Sequence, residues 1–358
     1  MPISILTPRN IKLDDGRLLF SAISHVGDRL IFVGCHYFDN PIAYERLQFR
    51  LIPSTEKASD LRYHARVDYE PCVIITAHVG AGPIEVEFYY EGQTWNVPLK
   101  REHVPRSRLS LMTLFKDDYR LLPEFIGYYA NLGVDNFYLY FNGPLKRIDW
   151  DFLRACAKTR DIGVQLVEWD IPYWWNLGTS PNKGIYESWG YQHHAQPMAM
   201  NHHLHFVRGS SDYTLFVDLD EYVFTPKATL DRCLEAKPGF VIFQSWWTSF
   251  SEPVPYESFS ISEDKELLVA ETGESRARVK SLVKPEVVDL MGIHMPYRHG
   301  ETDNRFIDGF FHFFRFKEHD RQSVTTKGLK RCLKSDFVRQ RFSRGPDVEA
   351  DGAGPGIT

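Results

Sequence analysis

The segment Tyr213–Phe224 reads Tyr-Thr-Leu-Phe-Val-Asp-Leu-Asp-Glu-Tyr-Val-Phe, an apolar run that ends in three carboxylates within four residues. A short apolar run rich in aromatic and branched residues predicts a buried strand, Tyr213–Leu219. Acidic groups at the end of such a strand are costly unless a cation meets them. In an extended chain Asp218 and Asp220 project to the same face and can hold one ion together. Hard oxygen ligands suit Mn2+ or Mg2+, which keep coordination positions open for phosphate oxygens. The functional reading is therefore a metal clamp for a nucleotide diphosphate. The plain alternative is a solvated strand end with spare acidic residues.

Spacing alone does not choose between them, because Asp149-Trp150-Asp151 has the same pattern. That copy follows the loop Phe141-Asn142-Gly143-Pro144 and opens an expected helix, where acidic residues cap free N–H groups. It is expected to be structural.

A chain of 358 residues with 43% hydrophobic and 25% charged residues has the composition of an ordinary globular protein of one large or two smaller domains. Its net charge of −5 gives no reason to expect nucleic acid as a partner. Cys35, Cys72, Cys156, Cys233 and Cys332 are scattered without C-x-x-C spacing, which argues against a disulfide framework or a structural zinc and for a reducing compartment. No run reaches the roughly 18 apolar residues of a membrane span.

Residues 1–103 read as short strands with turns between them: Arg17–His25, Arg29–Cys35, Arg46–Leu51, Cys72–His78, Ile84–Tyr90 and Gln93–Leu99. This spacing predicts a small β-sandwich-like domain, serving as a packing or carbohydrate-binding module. From Leu109 strands alternate with helices: strands Leu109–Phe115, Asn136–Phe141, Ile162–Glu168, Tyr213–Leu219 and Phe240–Ser245, helices Tyr119–Leu132, Asp151–Lys158, Gly190–Gly209 and Leu230–Ala236. Alternation predicts an α/β catalytic domain over 104–326, built on a mostly parallel sheet with ligands at the C-terminal strand ends. There is no G-x-G-x-x-G or G-x-x-x-x-G-K-[ST], which disfavours dehydrogenases and P-loop enzymes. Residues 327–358 form a basic tail, predicted as a helix with a Gly- and Pro-containing end.

From about Leu109 to Lys327 the motif order resembles glycosyltransferase family 92. The matching pieces are Thr-Leu-Phe-Lys-Asp-Asp, Leu-Pro-Glu-Phe-Ile-Gly-Tyr-Tyr, Leu-Gly-Val-Asp-Asn-Phe-Tyr-Leu-Tyr-Phe-Asn, Gln196 to Asn201, and Phe216-Val-Asp-Leu-Asp-Glu-Tyr-Val. Lys280-Ser-Leu-Val-Lys-Pro, Gly292-Ile-His and Phe311-His-Phe-Phe-Arg follow in order. The resemblance implies a GT-A (Rossmann-like) fold and a Mn2+- or Mg2+-dependent transfer of a hexose, galactose first, from a UDP-sugar to a glycan or glycoconjugate acceptor. Animal and plant members carry an N-terminal membrane anchor. None opens this sequence, so the expectation is a bacterial-type, cytoplasmic relative.

The same resemblance implies Asp218, Asp220 and His294 as metal ligands, with Glu221 orienting the carboxylates. It implies Thr113, Lys116, Asn142, Gln196, Asn201, Asp218 and Lys280 around the donor. His312 and Arg315 would line the site late in the chain. An inverting transfer needs a base for the acceptor hydroxyl, sought among Glu252, Glu271, Glu274 and His312. Trp246 and Trp247 offer an acceptor platform. The histidines His193, His194, His202, His203 and His205 lack the H-E-x-x-H spacing of a zinc hydrolase. The basic tail, with Leu329, Leu333, Phe337 and Phe342 interleaved, suits either a packed helix or peripheral contact with an anionic membrane. Two other readings stay open: a non-catalytic carbohydrate-binding protein, and a metal-dependent nucleotidyl or phosphodiester enzyme.

Overall fold

The computed structural model describes the chain except for residues 1–2, 38–40, 53–58, 67–69, 81, 159–161, 177–190, 271–278, 319–328 and 343–358. Its backbone is an 11-stranded mixed sheet. One half holds Ser4–Leu6, Gly163–Glu168, Asn136–Phe141, Ser107–Phe115 and Ser211–Phe216 side by side, all parallel. Ser4–Leu6 is an exposed edge, but the inner strands are covered on both faces, and Asn136–Phe141 is buried at every position, as the continuous apolar pattern of parallel strands requires. Beyond Ser211–Phe216 the sheet continues through Val279–Val283 and Phe240–Ser249 in antiparallel sense, and Asn304–Phe313 runs parallel to the latter.

Strand alternation sorts side chains to two cores. Leu111, Phe137, Leu139 and Leu215 point to one face, covered by α1 (Leu122–Leu132), α2 (Trp150–Lys158) and, after α3 (Ala195–Val207), by α4 (Lys227–Glu235). Met112, Tyr138, Tyr140 and Phe216 point to the other, covered by α3. Helix α1 starts with Pro123 in its first turn, where no N–H is needed, and ends at Gly133, whose φ of 108° is open to glycine at little cost. Helix α3 is shorter than expected at its start, because Tyr191–His193 pairs with Trp174–Asn176 instead.

The N-terminal region is all-β, as expected, and most of its strands lie in two sheets. One sheet has Leu18–Val26, Arg29–Gly34 and Cys72–His78 at its centre, the other Gln48–Ile52, Ile84–Tyr90 and Gln93–Leu99. Phe20 and Phe32 meet Phe88 between them, with ring centroids 5.3 and 5.5 Å away. The strands Ser59–Arg66 and Arg9–Lys12 were not visible in the sequence pattern. The sandwich does not stand apart from the α/β region: α3 lies between them in one continuous core. Ser24 Oγ and His202 Nε2 are 3.0 Å apart, and Cys35 Sγ and His194 Nε2 are also 3.0 Å apart. Ser4–Leu6 leaves the 1–103 segment altogether to extend the large sheet.

The tail also differs from expectation. Leu329–Leu333 is an edge strand paired with Glu266–Ala270, and among the described residues of the tail only Lys334–Phe342 is helical (α5). Phe337 faces Trp246 and Phe311, so this apolar position is turned to protein. Residues 345–358 lie outside the described residues.

Helix α3 is buried throughout, histidines included. Burial pulls His194 and His202 down to about 3, and lowers His203 and His205 well below the ordinary imidazole range. These histidines stay neutral when folded but protonate near pH 6.5 when unfolded, so the unfolded state binds more protons as pH falls. Their stabilising contribution is complete above pH 6.5 and is lost below it, at about 1.4 kcal/mol per pH unit for each. Four carboxyls act oppositely: burial pushes Glu102 up to about 7 and Asp118 up to about 6, and it also raises Asp135 and Glu221. The histidines still outnumber them, because burial lowers His25, His36, His64 and His193 as well. Thermal melts are expected to show Tm falling steeply from pH 6.5 to pH 5, and a His202→Gln variant to show a shallower fall.

Candidate active site

The acidic segment leaves the strand Ser211–Phe216 at the C-terminal edge of the parallel half and turns back at once. Glu221 N donates to Asp218 O (3.1 Å), closing a turn, and Glu221–Val223 then pairs with Asn304–Phe313. Two tyrosines from α1 hold this returning strand by its backbone. Tyr129 OH donates to Glu221 O (2.8 Å) and accepts from Val223 N (3.1 Å), while Tyr128 OH donates to Val223 O (2.6 Å). The Leu-Pro-Glu-Phe-Ile-Gly-Tyr-Tyr motif thus fixes the direction in which the carboxylates leave the sheet.

Pairing also explains which histidine arrives. His312 lies directly opposite Glu221 in the antiparallel ladder, where facing side chains are neighbours. Its Nε2 is 3.5 Å from Asp220 Oδ2 and its Nδ1 is 3.5 Å from Glu221 Oε1. Ligand atoms of Asp220, Glu221 and His312 all lie within 4.8 Å of one another, the group among the described residues with the geometry to hold a metal. Two carboxylates and an imidazole are a donor set that fits Mn2+ or Mg2+. The ring of Trp247 stacks on His312, centroids 4.3 Å apart.

Asp218 is engaged elsewhere. Gln196 Nε2 donates to its Oδ1 (3.0 Å) and Lys280 Nζ donates to its Oδ2 (2.7 Å). Lys280 also reaches Glu221 Oε2 at 3.1 Å and is only 2% exposed. Burial pulls this ammonium down, but Asp218 and Glu221 more than offset it, and the net shift is upward. Burial pushes Glu221 up, Lys280 pulls it back, and Asp218 adds repulsion, leaving it raised. The second oxygen pair closes the network: Asp218 N donates to Glu221 Oε2 (2.8 Å).

Asp218 and Asp220 open onto a cavity of about 500 Å3 at the strand ends, lined also by Lys116, Asp117, Asp118 and Asn142. Phe115, Tyr173, Tyr256 and Phe316 supply aromatic wall. Asp118 stands at the N-cap position of the turn Tyr119–Leu121 but makes no side-chain capping bond. Its Oδ1 accepts from Lys116 N (3.1 Å), and besides burial the charges of Asp220 and Asp218 help to raise its pKa. Tyr173 OH donates to Gln196 Oε1 (3.1 Å), which orients the amide toward Asp218. Sequence patterning missed Tyr173, Tyr256, Phe316 and Asp118, since no spacing links them. Only the folded strand ends do.

Other expected site residues fall elsewhere. Thr113 is fully buried within its strand, and the cavity begins one residue later at Leu114. Asn201 joins α3 to Val288–Met291: its amide donates to Pro197 O and Met291 O and accepts from Met291 N, so it has no group turned to a donor. Trp246 is 4% exposed and packs on Phe337, which makes it a core residue and no sugar platform. Glu252 is exposed in the turn after Phe240–Ser249. Glu271 and Glu274 lie outside the described residues.

His294 sits half-buried between Val288–Met291 and Pro296–His299, its carbonyl accepting from Ser281 Oγ (2.8 Å). It is not in the Asp220–Glu221–His312 group. The N-terminal sandwich holds its turn in place. Glu70, paired with Arg66 at 2.5 Å, accepts from Ile293 N (2.8 Å), and a Cβ at Gly292 would collide with both side chains. The control motif behaves as a cap: Asp149 Oδ1 accepts from Phe152 N (3.0 Å).

The sequence profile of glycosyltransferase family 92 matches residues 110–330. A search of curated proteins finds no match. Among solved structures, HddC from Yersinia pseudotuberculosis is 11% identical with a TM-score of 0.30, over 58% of this chain and 95% of that one. Residues 1-349 of S. aureus TarS are 10% identical with a TM-score of 0.32, over 57% of this chain and 60% of that one. Scores this low carry no argument about function.

Asn201→Ala leaves both Met291 backbone groups unpaired in the core and is expected to cost about 2–4 kcal/mol in urea unfolding. Trp246→Ala is expected to cost about 3–5 kcal/mol by cavity formation. Neither should change the affinity of the folded protein for a nucleoside diphosphate, measured by calorimetry below the unfolding transition.

Proposed function

This chain belongs to glycosyltransferase family 92, and we propose that it is a metal-dependent transferase that moves a hexose from a UDP-sugar, UDP-galactose first, to a glycan or glycoconjugate acceptor. The observation that carries the reading is the convergence of Asp220, Glu221 and His312, of which Asp220 lines an aromatic-walled cavity. Two supporting points come from chemistry. The aromatic rings can stack on a pyrimidine, and Asp117 and Asp118 can pair with base or ribose polar groups, as can the side-chain oxygen of Asn142, whose amide nitrogen already donates to Trp169 O and Ile171 O. The carboxylates beyond them can hold a cation where a diphosphate would lie.

A bound Mn2+ or Mg2+ would neutralise charge on the departing diphosphate. Asp220 and His312 would hold it, and Glu221 would either ligate or orient it. Lys116, exposed at the rim, is placed to meet phosphate oxygens, and Gln196 steadies Asp218 beside the ribose. Trp247, with one face on His312, remains the acceptor-side aromatic. The course we favour is a single displacement with inversion. Asp218 and Glu221 are both tied to Lys280, and Asp220 is needed by the cation, so none of the three is free to act as a nucleophile toward the anomeric carbon.

The test is a panel of UDP-sugars with Mn2+, scored for donor hydrolysis and for transfer. Asp220→Ala and His312→Ala are each expected to lower kcat/KM at least about a hundredfold, the loss of several kcal/mol of charge stabilisation. Turnover that survives both substitutions removes the metal from this site. Saturable glycan binding with no turnover of any donor would favour a binding module instead.

A further inference from the structure

Lys280 was expected around the donor, but its ammonium is sealed beneath the carboxylates: it is not itself part of the cavity lining and touches that lining through Asp218. We infer that Lys280 is a positioning residue: a built-in counter-cation that occupies the ground between Asp218 and Glu221, so that the site takes one divalent ion and takes it at Asp220 and His312. The inference rests on the metal reading above and specifies which carboxylates are left for the metal.

Charge and geometry both lead there. Asp218, Asp220 and Glu221 are three carboxylates within four residues of one turn. Lys280 Nζ lies 2.7 Å from Asp218 Oδ2 and 3.1 Å from Glu221 Oε2, within direct hydrogen-bonding reach of both. The remaining Asp218 oxygen is taken by Gln196, and Glu221 Oε2 also accepts from Asp218 N. One ammonium against three carboxylates leaves two negative charges, which one divalent ion balances. Glu221 Oε1, Asp220 and His312 face that ion from the other side. Burying an ammonium is offset only by good geometry and further hydrogen bonds. The backbone brings the partners together: Val279–Val283, which carries Lys280, pairs with Ser211–Phe216, from which the acidic turn departs.

The arrangement makes a charge prediction that a packing role does not. Removing the ammonium leaves an extra uncompensated negative charge beside the ion, so metal should bind more tightly, not less. The experiment is a titration of full-length protein with Mn2+ alone, without nucleotide, followed by calorimetry and by EPR of free Mn2+. Wild type is expected to bind one ion per chain, and Asp220→Asn to lose it. Lys280→Met is expected to bind Mn2+ at least about tenfold more tightly, Lys280→Arg to match wild type, and the charge-balanced D218N/K280M variant to return to within about threefold of wild type. The double variant keeps the comparison available if Lys280→Met does not fold, since it buries one carboxylate fewer.

Unchanged or weaker Mn2+ binding in Lys280→Met, or in D218N/K280M relative to Asp218→Asn, overturns the inference. Unchanged Mn2+ binding with weakened UDP binding would return Lys280 to the phosphates. The metal reading fails separately: wild type that binds no Mn2+, or Asp220→Asn that binds it as wild type does, overturns that reading whatever Lys280 does.

Discussion

A carboxylate sealed inside a protein must be matched by a cation or take up a proton, because the effective cost of burying a bare ion is several kcal/mol. Glu221 is such a group, and Lys280 matches it. Much of the active-site region can be understood as what that pair demands. Lys280 has to arrive on a strand beside the acidic turn, which requires Val279–Val283 to pair antiparallel with Ser211–Phe216. Glu221 has to face inward immediately after the turn, which requires the returning strand to be pinned, and Tyr129 pins it. The sheet therefore changes from parallel to mixed at the strand where the chemistry begins.

The same constraint separates the roles of two aspartates that look alike in sequence. Asp218 is bonded to Gln196 and Lys280, while Asp220 lies beside His312. Alternation along an extended chain predicts that both face one side. The chain is not extended there: the hydrogen bond from Glu221 N to Asp218 O makes it a turn, and turns do not obey strand alternation. A pattern rule that located the site could not divide the labour within it.

What was legible follows from the range of the interactions concerned. Strands such as Cys72–His78 and Asn136–Phe141, which are apolar runs, and Ile84–Tyr90, which alternates, are local patterns, and their limits were readable to the residue. The acidic turn was readable because burying charge is a strong anomaly. His312 was legible as a site residue but not as the partner of Asp220 and Glu221, since that depends on the register between two distant strands. Asn201 and Trp246 were misplaced for a related reason. A polar or aromatic residue near a site has the same appearance in sequence whether it faces ligand or core, and here each faces the core.

The N-terminal sandwich illustrates the limit of reading domains from composition. Its strand-only pattern suggests an independent module, yet α3 is buried between it and the α/β sheet, and Ser4–Leu6 belongs to that sheet. A helix whose every residue is buried has no polar face to offer solvent. Were the sandwich removed, α3 would expose apolar surface together with histidines that are neutral only because they are buried. The Glu70 contact with Ile293 adds a direct link to the turn carrying His294. The sandwich is thus part of the folding unit that builds the site, and any recognition role it has must be compatible with that first task.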